Sequence, residues 1–124
     1  MIYGVGTDIL KISRIASLIA SNEEDPFILK TYTQKELLII RSRPVPLYSY
    51  ATRFAGKEAV FKALGIGGND ISLKEIEILE SDHGQPLVTL LGRAKEIAEQ
   101  KGITQVLISL SYDTEYAIAY ANCI

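Results

Sequence analysis

Three charged side chains, Asp8, Glu58 and Lys62, could together bind and activate a phosphate-containing substrate. Glu58 and Lys62 are four residues apart, and in a helix this spacing places two side chains about 40° apart on one face. Asp8 comes where a strand predicted over residues 1–10 should end. Magnesium is typically bound by one or two carboxylates, together with waters and ligand phosphates. Two carboxylates and a cation therefore fit the requirements of phosphoryl transfer.

Each of these residues also has a purely structural interpretation. An aspartate at the end of a strand is commonly a turn or helix-cap residue. A Glu-to-Lys pair at this spacing is an ordinary helix-surface ion pair, worth about 0.3–0.5 kcal/mol. The spacing alone does not distinguish the structural from the functional interpretation.

A second basic pair, Arg53 and Lys57, lies on a neighbouring face of the same predicted helix. Residues 30–62 carry a net charge of +5, whereas the rest of the chain carries −7. A local basic segment in an acidic protein suggests a small anionic ligand, and a solvated helix face is the alternative. The helix is also rich in small residues, which permit close approach of a backbone or a ligand: Ala51, Ala55, Gly56, Ala59 and Ala63.

Length and composition predict one folded domain over residues 1–124. With 48% hydrophobic and 23% charged residues, the chain is unlike a disordered protein. No apolar run approaches the ~20 residues that cross a bilayer, and the N-terminus has no signal-peptide pattern. The single cysteine, Cys123, cannot form an internal disulfide, so we expect a cytoplasmic protein.

The periodicity of apolar residues predicts an α+β fold, in which early helices pack on a mainly antiparallel sheet. The capping box Thr33 to Glu36 starts one helix, and Gly65 is expected to end the longest one. The predicted helices are about 12–21, a short turn at Pro26, 33–42, 46–64 and 93–100. The predicted strands after the first are 75–79, 87–91, 106–111 and 116–122.

Two segments resemble the signatures of the 4′-phosphopantetheinyl transferases. Val5-Gly6-Thr7-Asp8 is similar to the first signature. The segment from Phe54 to Lys62 is similar to the second, an aromatic followed by two residues, Lys-Glu-Ala, two residues and Lys. The continuation Lys62-Ala63-Leu64-Gly65 and the turn Gly84-Gln85-Pro86 resemble the small holo-acyl-carrier-protein synthase branch, over essentially the whole chain.

The resemblance implies an enzyme that moves 4′-phosphopantetheine from coenzyme A to a serine of an apo acyl carrier protein and releases adenosine 3′,5′-bisphosphate. It implies magnesium held by Asp8 and Glu58, and a homotrimer with active sites between subunits. Asp8, Glu58 and Lys62 are the implied catalytic residues. The implied coenzyme A contacts are Arg43, Arg53, Lys57, Lys62, Gly65, Gly84 and Pro86. Gly84 and Pro86 would line the adenine pocket from the adjacent subunit.

The resemblance also places the carrier protein on the first helix. Arg14 is the implied docking cation, Lys11 lies about one turn away, and Leu18 could fill a groove on the partner. Glu23 and Glu24 follow, and their negative charge would border this docking point.

One departure from the family concerns the last motif, which commonly reads Ser-x-Ser-His. Here Tyr112 follows Ser109-Leu110-Ser111, and tyrosine supplies a hydrogen bond but no positive charge near pH 7. The only histidine, His83, is expected to be a solvent-exposed turn residue.

Two rival functions are a non-catalytic member that binds coenzyme A or a carrier without turnover, and a nucleic-acid-binding module. The second would use Arg53 and Lys57 with the rings of Tyr48, Tyr50 and Phe54. The negative overall charge argues against it, and we expect neither a nucleic-acid nor a membrane partner.

Overall fold

The computed structural model describes residues 1–19, 25–67 and 70–124, and within these ranges it confirms the α+β prediction. The strands are β1 (Gly4–Lys11), β2 (Ile76–Glu80), β3 (Pro86–Leu90), β4 (Val106–Tyr112) and β5 (Tyr116–Cys123). The helices are α1 (Ile12–Ile19), α2 (Pro26–Thr31), α3 (Gln34–Arg41), α4 (Pro46–Leu64) and α5 (Gly92–Gln100). None of the helices in the described ranges is long and apolar enough to span a bilayer.

The larger sheet has the antiparallel order β1-β5-β4, and β2 and β3 form a separate hairpin. Asp8 pairs with Ala119, and the β1–β5 pairing continues to Lys11 opposite Tyr116. The prediction that the first strand ends near Asp8 is therefore wrong, because β5 is long enough to pair with three further residues of β1. Asp8 lies within a strand and is not a turn or cap residue.

Helix α4 packs across one face of this sheet, and two glycines of β1 set how closely it approaches. A Cβ atom on Gly4 would lie 2.0 Å from the Ala63 carbonyl oxygen, and one on Gly6 would lie 2.0 Å from that of Ala59. Such distances are shorter than any real contact, so only glycine fits at both positions. The small residues of α4 thus admit the β1 backbone, which brings Asp8 next to the α4 side chains.

The helix boundaries largely follow the predicted capping signals. Thr33 and Glu36 form the capping box of α3, and Gly65 ends α4 in the left-handed conformation with φ of 68°. Helix α1 ends at Ile19, and the rest of the predicted 12–21 helix, like Glu23 and Glu24, falls outside the described residues.

The β2–β3 hairpin starts one residue later than predicted. Residues Leu73–Glu75 form a 3-10 turn, so Glu75 is not a strand residue. Its carboxylate accepts hydrogen bonds from the backbone N–H groups of Ser72 and Arg93, at 2.6 Å each. The side chain caps this turn and the start of α5 at once, which favours the turn over an extended conformation.

Candidate active site

Lys62 bridges α4 and β1 within the predicted catalytic set formed by Asp8, Glu58 and Lys62. Its Nζ lies 3.3 Å from Asp8 Oδ1 and donates to the Thr7 carbonyl oxygen at 2.9 Å. The ion pair therefore runs from the helix to the strand, and Lys62 does not simply pair with Glu58 along the helix surface. The lysine side chain stays 54% exposed and Asp8 only 17% exposed, so an anionic ligand can still reach the ammonium group.

Glu58 is half-buried on α4, and its carboxyl group interacts electrostatically with Asp8 and Lys62. Burial raises the pKa of the Glu58 carboxyl above its ordinary value, the negative charge of Asp8 raises it further, and Lys62 partly offsets the shift. Two interacting carboxylates with one cation leave an excess of negative charge, which a divalent cation would relieve.

The donor set fits magnesium. Among the residues that the structure describes, no three or more His, Cys, Asp or Glu side chains form a cluster able to hold a metal. Asp8 and Glu58 could thus supply only part of a coordination shell. Magnesium commonly binds through one or two carboxylates and takes its other oxygens from water and substrate phosphates.

A separate cavity of about 720 Å³ lies between the start of α4, the hairpin and β4. Arg43, Arg53, Pro86 and Tyr112 line it, as does Tyr48. The rings of Tyr48 and Tyr112 stack, with centroids 5.0 Å apart and an interplanar angle of 23°. An aromatic pair beside two guanidinium groups can take a planar base and its phosphates.

The two arginines of the cavity are held differently. Arg53 is buried, donating from Nε to the Ile78 carbonyl oxygen at 3.0 Å and from Nη1 to Ser49 Oγ at 2.5 Å. Arg43 is exposed and forms an ion pair with Glu80. Arg53 is thus a fixed wall of the cavity, whereas Arg43 can exchange its carboxylate partner for a ligand at little cost.

The two predicted glycine contacts lie outside the wall of this cavity. Gly84 has φ of 81° in the hairpin turn, and a Cβ atom there would meet nothing within 4 Å. It allows the turn that leads into Gln85 and Pro86, which do line the cavity. Gly65 ends α4, where Lys101 Nζ donates to its carbonyl oxygen at 3.3 Å. A direct ligand contact for either glycine stays a prediction.

The prediction that Lys57 holds a phosphate must be corrected. Its side chain is 0% exposed, and Nζ donates to Glu36 Oε1 at 2.8 Å and to the carbonyl oxygens of Leu73 at 3.1 Å and Ile76 at 2.5 Å. Burial lowers the pKa of Lys57, and the charge of Glu36 opposes that shift. Lys57 therefore belongs to the interior, because α4 turns this face toward α3 and β2.

Asp8, Glu58 and Lys62 do not join the cavity within one chain. None of these three residues, all of which the structure describes, lines the cavity that holds Arg53 and Tyr112. The structure thus places Asp8, Glu58 and Lys62 in one group and Arg43, Arg53 and Pro86 in another, whereas Lys57, Gly65 and Gly84 belong to neither.

The residues predicted to bind a carrier protein are exposed and follow Asp8 in the chain. Lys11 is the last residue of β1, and Arg14 and Leu18 lie on α1. The side chain of Leu18 is 43% exposed. These positions permit docking close to Asp8.

The model of the 4′-phosphopantetheinyl transferase superfamily matches residues 4–121. This match covers nearly the whole chain and both signature segments. The chain belongs to this superfamily.

The transferase is similar to several holo-acyl-carrier-protein synthases. It is 46% identical over 121 residues to that of Clostridium acetobutylicum, covering 98% of this chain and 96% of the relative. The Neisseria meningitidis structure superposes with a TM-score of 0.89 at 32% identity, covering 100% of this chain and 99% of the other. A Helicobacter pylori structure, solved in complex with coenzyme A, has a TM-score of 0.82 at 30% identity, covering 97% and 99%.

Sequence reasoning missed three residues that shape the transferase's site: Glu36, Ser49 and Glu80. Glu36 was visible only as a capping residue, and its second role requires α3 to lie against α4. Ser49 precedes Arg53 by one helical turn, so the i to i+4 spacing carried a usable signal. The pairing of Glu80 with Arg43 joins residues far apart in the chain, and no local pattern reveals it.

Proposed function

We propose that this chain is a holo-acyl-carrier-protein synthase. It transfers 4′-phosphopantetheine from coenzyme A to a serine hydroxyl of an apo acyl carrier protein and releases adenosine 3′,5′-bisphosphate. Membership of the superfamily and the relatives' names support this activity. Among the site's own features, the pairing of Asp8 and Glu58 beside a solvent-accessible Lys62 carries the proposal.

Asp8 and Glu58 would hold a magnesium ion against the pyrophosphate of coenzyme A. The excess negative charge and incomplete donor set of this pair support the assignment. When bound, such an ion neutralises charge on the bridging phosphate oxygens. Lys62 adds a flexible cation for the same phosphates, since its ammonium group keeps contact with solvent.

Glu58 is also the candidate acceptor of the serine proton. A carboxylate positioned next to the reacting hydroxyl can take up its proton. The nucleotide would lie in the cavity, where Arg53 and Arg43 bind its phosphates and the stacked Tyr48 and Tyr112 supply an aromatic surface. This arrangement needs no histidine at position 112.

A homotrimer would complete the site by joining the metal-binding pair of one subunit to the cavity of its neighbour. The outer face of the β1-β5-β4 sheet supports such an assembly. It exposes apolar side chains including Ile9, Leu107 and Ile118, whereas Ala119 on the inner face is buried under α4. An apolar sheet face of this kind commonly marks a subunit interface. Light scattering of Ile118→Glu should show monomers if this face is the contact.

The activity is tested by mass spectrometry of apo acyl carrier protein incubated with coenzyme A and the purified transferase. We expect the carrier to gain one phosphopantetheine with magnesium and none after chelation. A carrier that stays unmodified while coenzyme A still binds would favour the non-catalytic member instead.

The protein is further proposed to act in the cytoplasm on coenzyme A and a carrier protein. A single domain over residues 1–124, acting in the cytoplasm, is compatible with the free and buried Cys123. The nucleic-acid alternative required Lys57 and Tyr50 on the surface, and both are buried. Coenzyme A and an acyl carrier protein therefore remain the proposed partners.

A further inference from the structure

The outer edge of β2 is held by charged side chains in place of a neighbouring strand. Leu91 N donates to the Glu75 carbonyl oxygen and Ser81 N donates to that of Gln85, both at 2.8 Å. Because successive residues of a strand point their backbone groups to opposite edges, Ile76 and Ile78 direct theirs away from β3. An edge buried in this way needs other hydrogen-bond partners.

Three side chains supply those partners. Lys57 Nζ donates to the Ile76 carbonyl oxygen at 2.5 Å, and Arg53 Nε donates to that of Ile78 at 3.0 Å. Glu36 Oε2 accepts from the Ile78 backbone N–H at 3.0 Å. Side chains from two helices, α3 and α4, therefore form hydrogen bonds with the backbone of the same stretch of β2.

The Glu36–Lys57 ion pair lies at the centre of these contacts, and both of its charged groups have hydrogen-bond partners. An ammonium group has three N–H donors, and Lys57 uses them on Glu36, Leu73 and Ile76. Glu36 Oε1 also accepts from the Thr33 backbone N–H at 2.9 Å. Both side chains are 0% exposed, so neither can exchange its partner for water.

A second buried carboxylate reinforces the pair. Glu77 Oε2 accepts from Thr33 Oγ1 at 2.6 Å, and its charge raises the pKa of Lys57 against the effect of burial. Thr33 thus joins the start of α3 both to Glu36 and to β2. Each of these charged side chains either bonds to the β2 backbone or bonds to a residue that does so or that lies next to one that does.

We propose that Lys57, fixed by Glu36, is a positioning residue that locks the β2–β3 hairpin against α4 and so sets the width of the nucleotide cavity. One wall of that cavity is the hairpin, through Ile78, Glu80 and Pro86, and the facing wall is α4, through Arg53. Lys57 lies one helical turn after Arg53, and it bonds to Ile76, which precedes Arg53's partner Ile78 by two residues in β2. The inference rests on the proposed function, in which this cavity takes the nucleotide.

The test uses Lys57→Met, which keeps an unbranched side chain but removes the ammonium group. We expect faster hydrogen exchange at the Ile78 amide and at least ~10-fold weaker binding of adenosine 3′,5′-bisphosphate by calorimetry. The KM for coenzyme A should rise by a similar factor, with the KM for the carrier within about twofold of wild type. All measurements are made at a temperature at which the variant is folded.

Ile28→Ala is the matched control, because Ile28 is buried in α2 and does not line the cavity. It should lower the melting temperature without changing nucleotide affinity. Lys57→Met binding nucleotide as tightly as wild type would overturn the inference. If Lys57→Met does not fold, Glu36→Asp replaces it, because this variant shortens the acceptor side chain by one methylene. Glu36→Asp must then weaken nucleotide binding more than Ile28→Ala does. Equal nucleotide affinity of these two variants would overturn the inference.

The result is separable from the proposed function. Wild-type protein that binds the nucleotide but never modifies a carrier would refute the synthase activity and leave the positioning role standing. Wild-type protein that binds no nucleotide would also refute the activity. In that case unchanged exchange at the Ile78 amide in Lys57→Met would overturn the positioning role, and faster exchange there than in Ile28→Ala would support it.

Discussion

Replacing Glu58 by glutamine should separate catalysis from stability. The substitution keeps the size of the side chain and removes one of the two carboxylates beside Lys62. Loss of a key electrostatic group commonly costs ~10²-fold or more in turnover, which corresponds to about 2.7 kcal/mol of transition-state stabilisation. In chelator, stability should hold or rise, because a raised pKa means that the metal-free folded protein disfavours the charged form of Glu58.

The assay measures initial rates of carrier modification at saturating magnesium, beside urea unfolding at one fixed protein concentration. Glu96→Gln is the matched control, since Glu96 is an exposed helix glutamate paired only with Arg93 in the described structure, and its rate should equal wild type. A Glu58→Gln rate within about threefold of wild type would refute the metal-ligand role. So would a rate that falls only in proportion to the folded fraction.

Three further predictions test assembly, docking and titration. Inactive Asp8→Ala and Arg53→Ala chains, unfolded together and refolded as a mixture, should recover activity if the two groups meet across subunits, and a mixture as inactive as its components would contradict a shared site. Arg14→Glu should raise the KM for the carrier by roughly 5–150-fold, as replacing attraction by repulsion costs about 1–3 kcal/mol, while leaving that for coenzyme A unchanged; equal carrier kinetics at low salt would leave Arg14 a mere surface residue. In chelator, wild-type stability should fall relative to Glu58→Gln as pH rises from the ordinary glutamate pKa of about 4.3 through the raised folded-state pKa. The reason is that the folded state holds the Glu58 proton more tightly than the unfolded chain does. Parallel urea-midpoint profiles for the two proteins would show that this titration does not contribute to stability.

The sequence by itself determined the local elements and indicated Asp8 and Glu58 as the proposed metal-binding pair. Capping signals depend on residues close in the chain, so Thr33 correctly predicted the start of α3 and Gly65 correctly predicted the end of α4. The signature segments indicated Asp8, Glu58 and Lys62, and folding places Lys62 on Asp8. Gly4 and Gly6 of β1 allow that meeting, because they leave room for the α4 backbone.

Only the tertiary structure decided what each basic residue of α4 does. Arg53 and Lys57 look equivalent in sequence, four residues apart on one helix face. The packing of α3 and β2 buries Lys57 on Glu36 and leaves Arg53 at the wall of a cavity. Burial depends on elements far away in the chain, which helical periodicity does not encode. The same limit applies to the division of the site into two groups, because it follows from which face of α4 meets the sheet and which meets the hairpin.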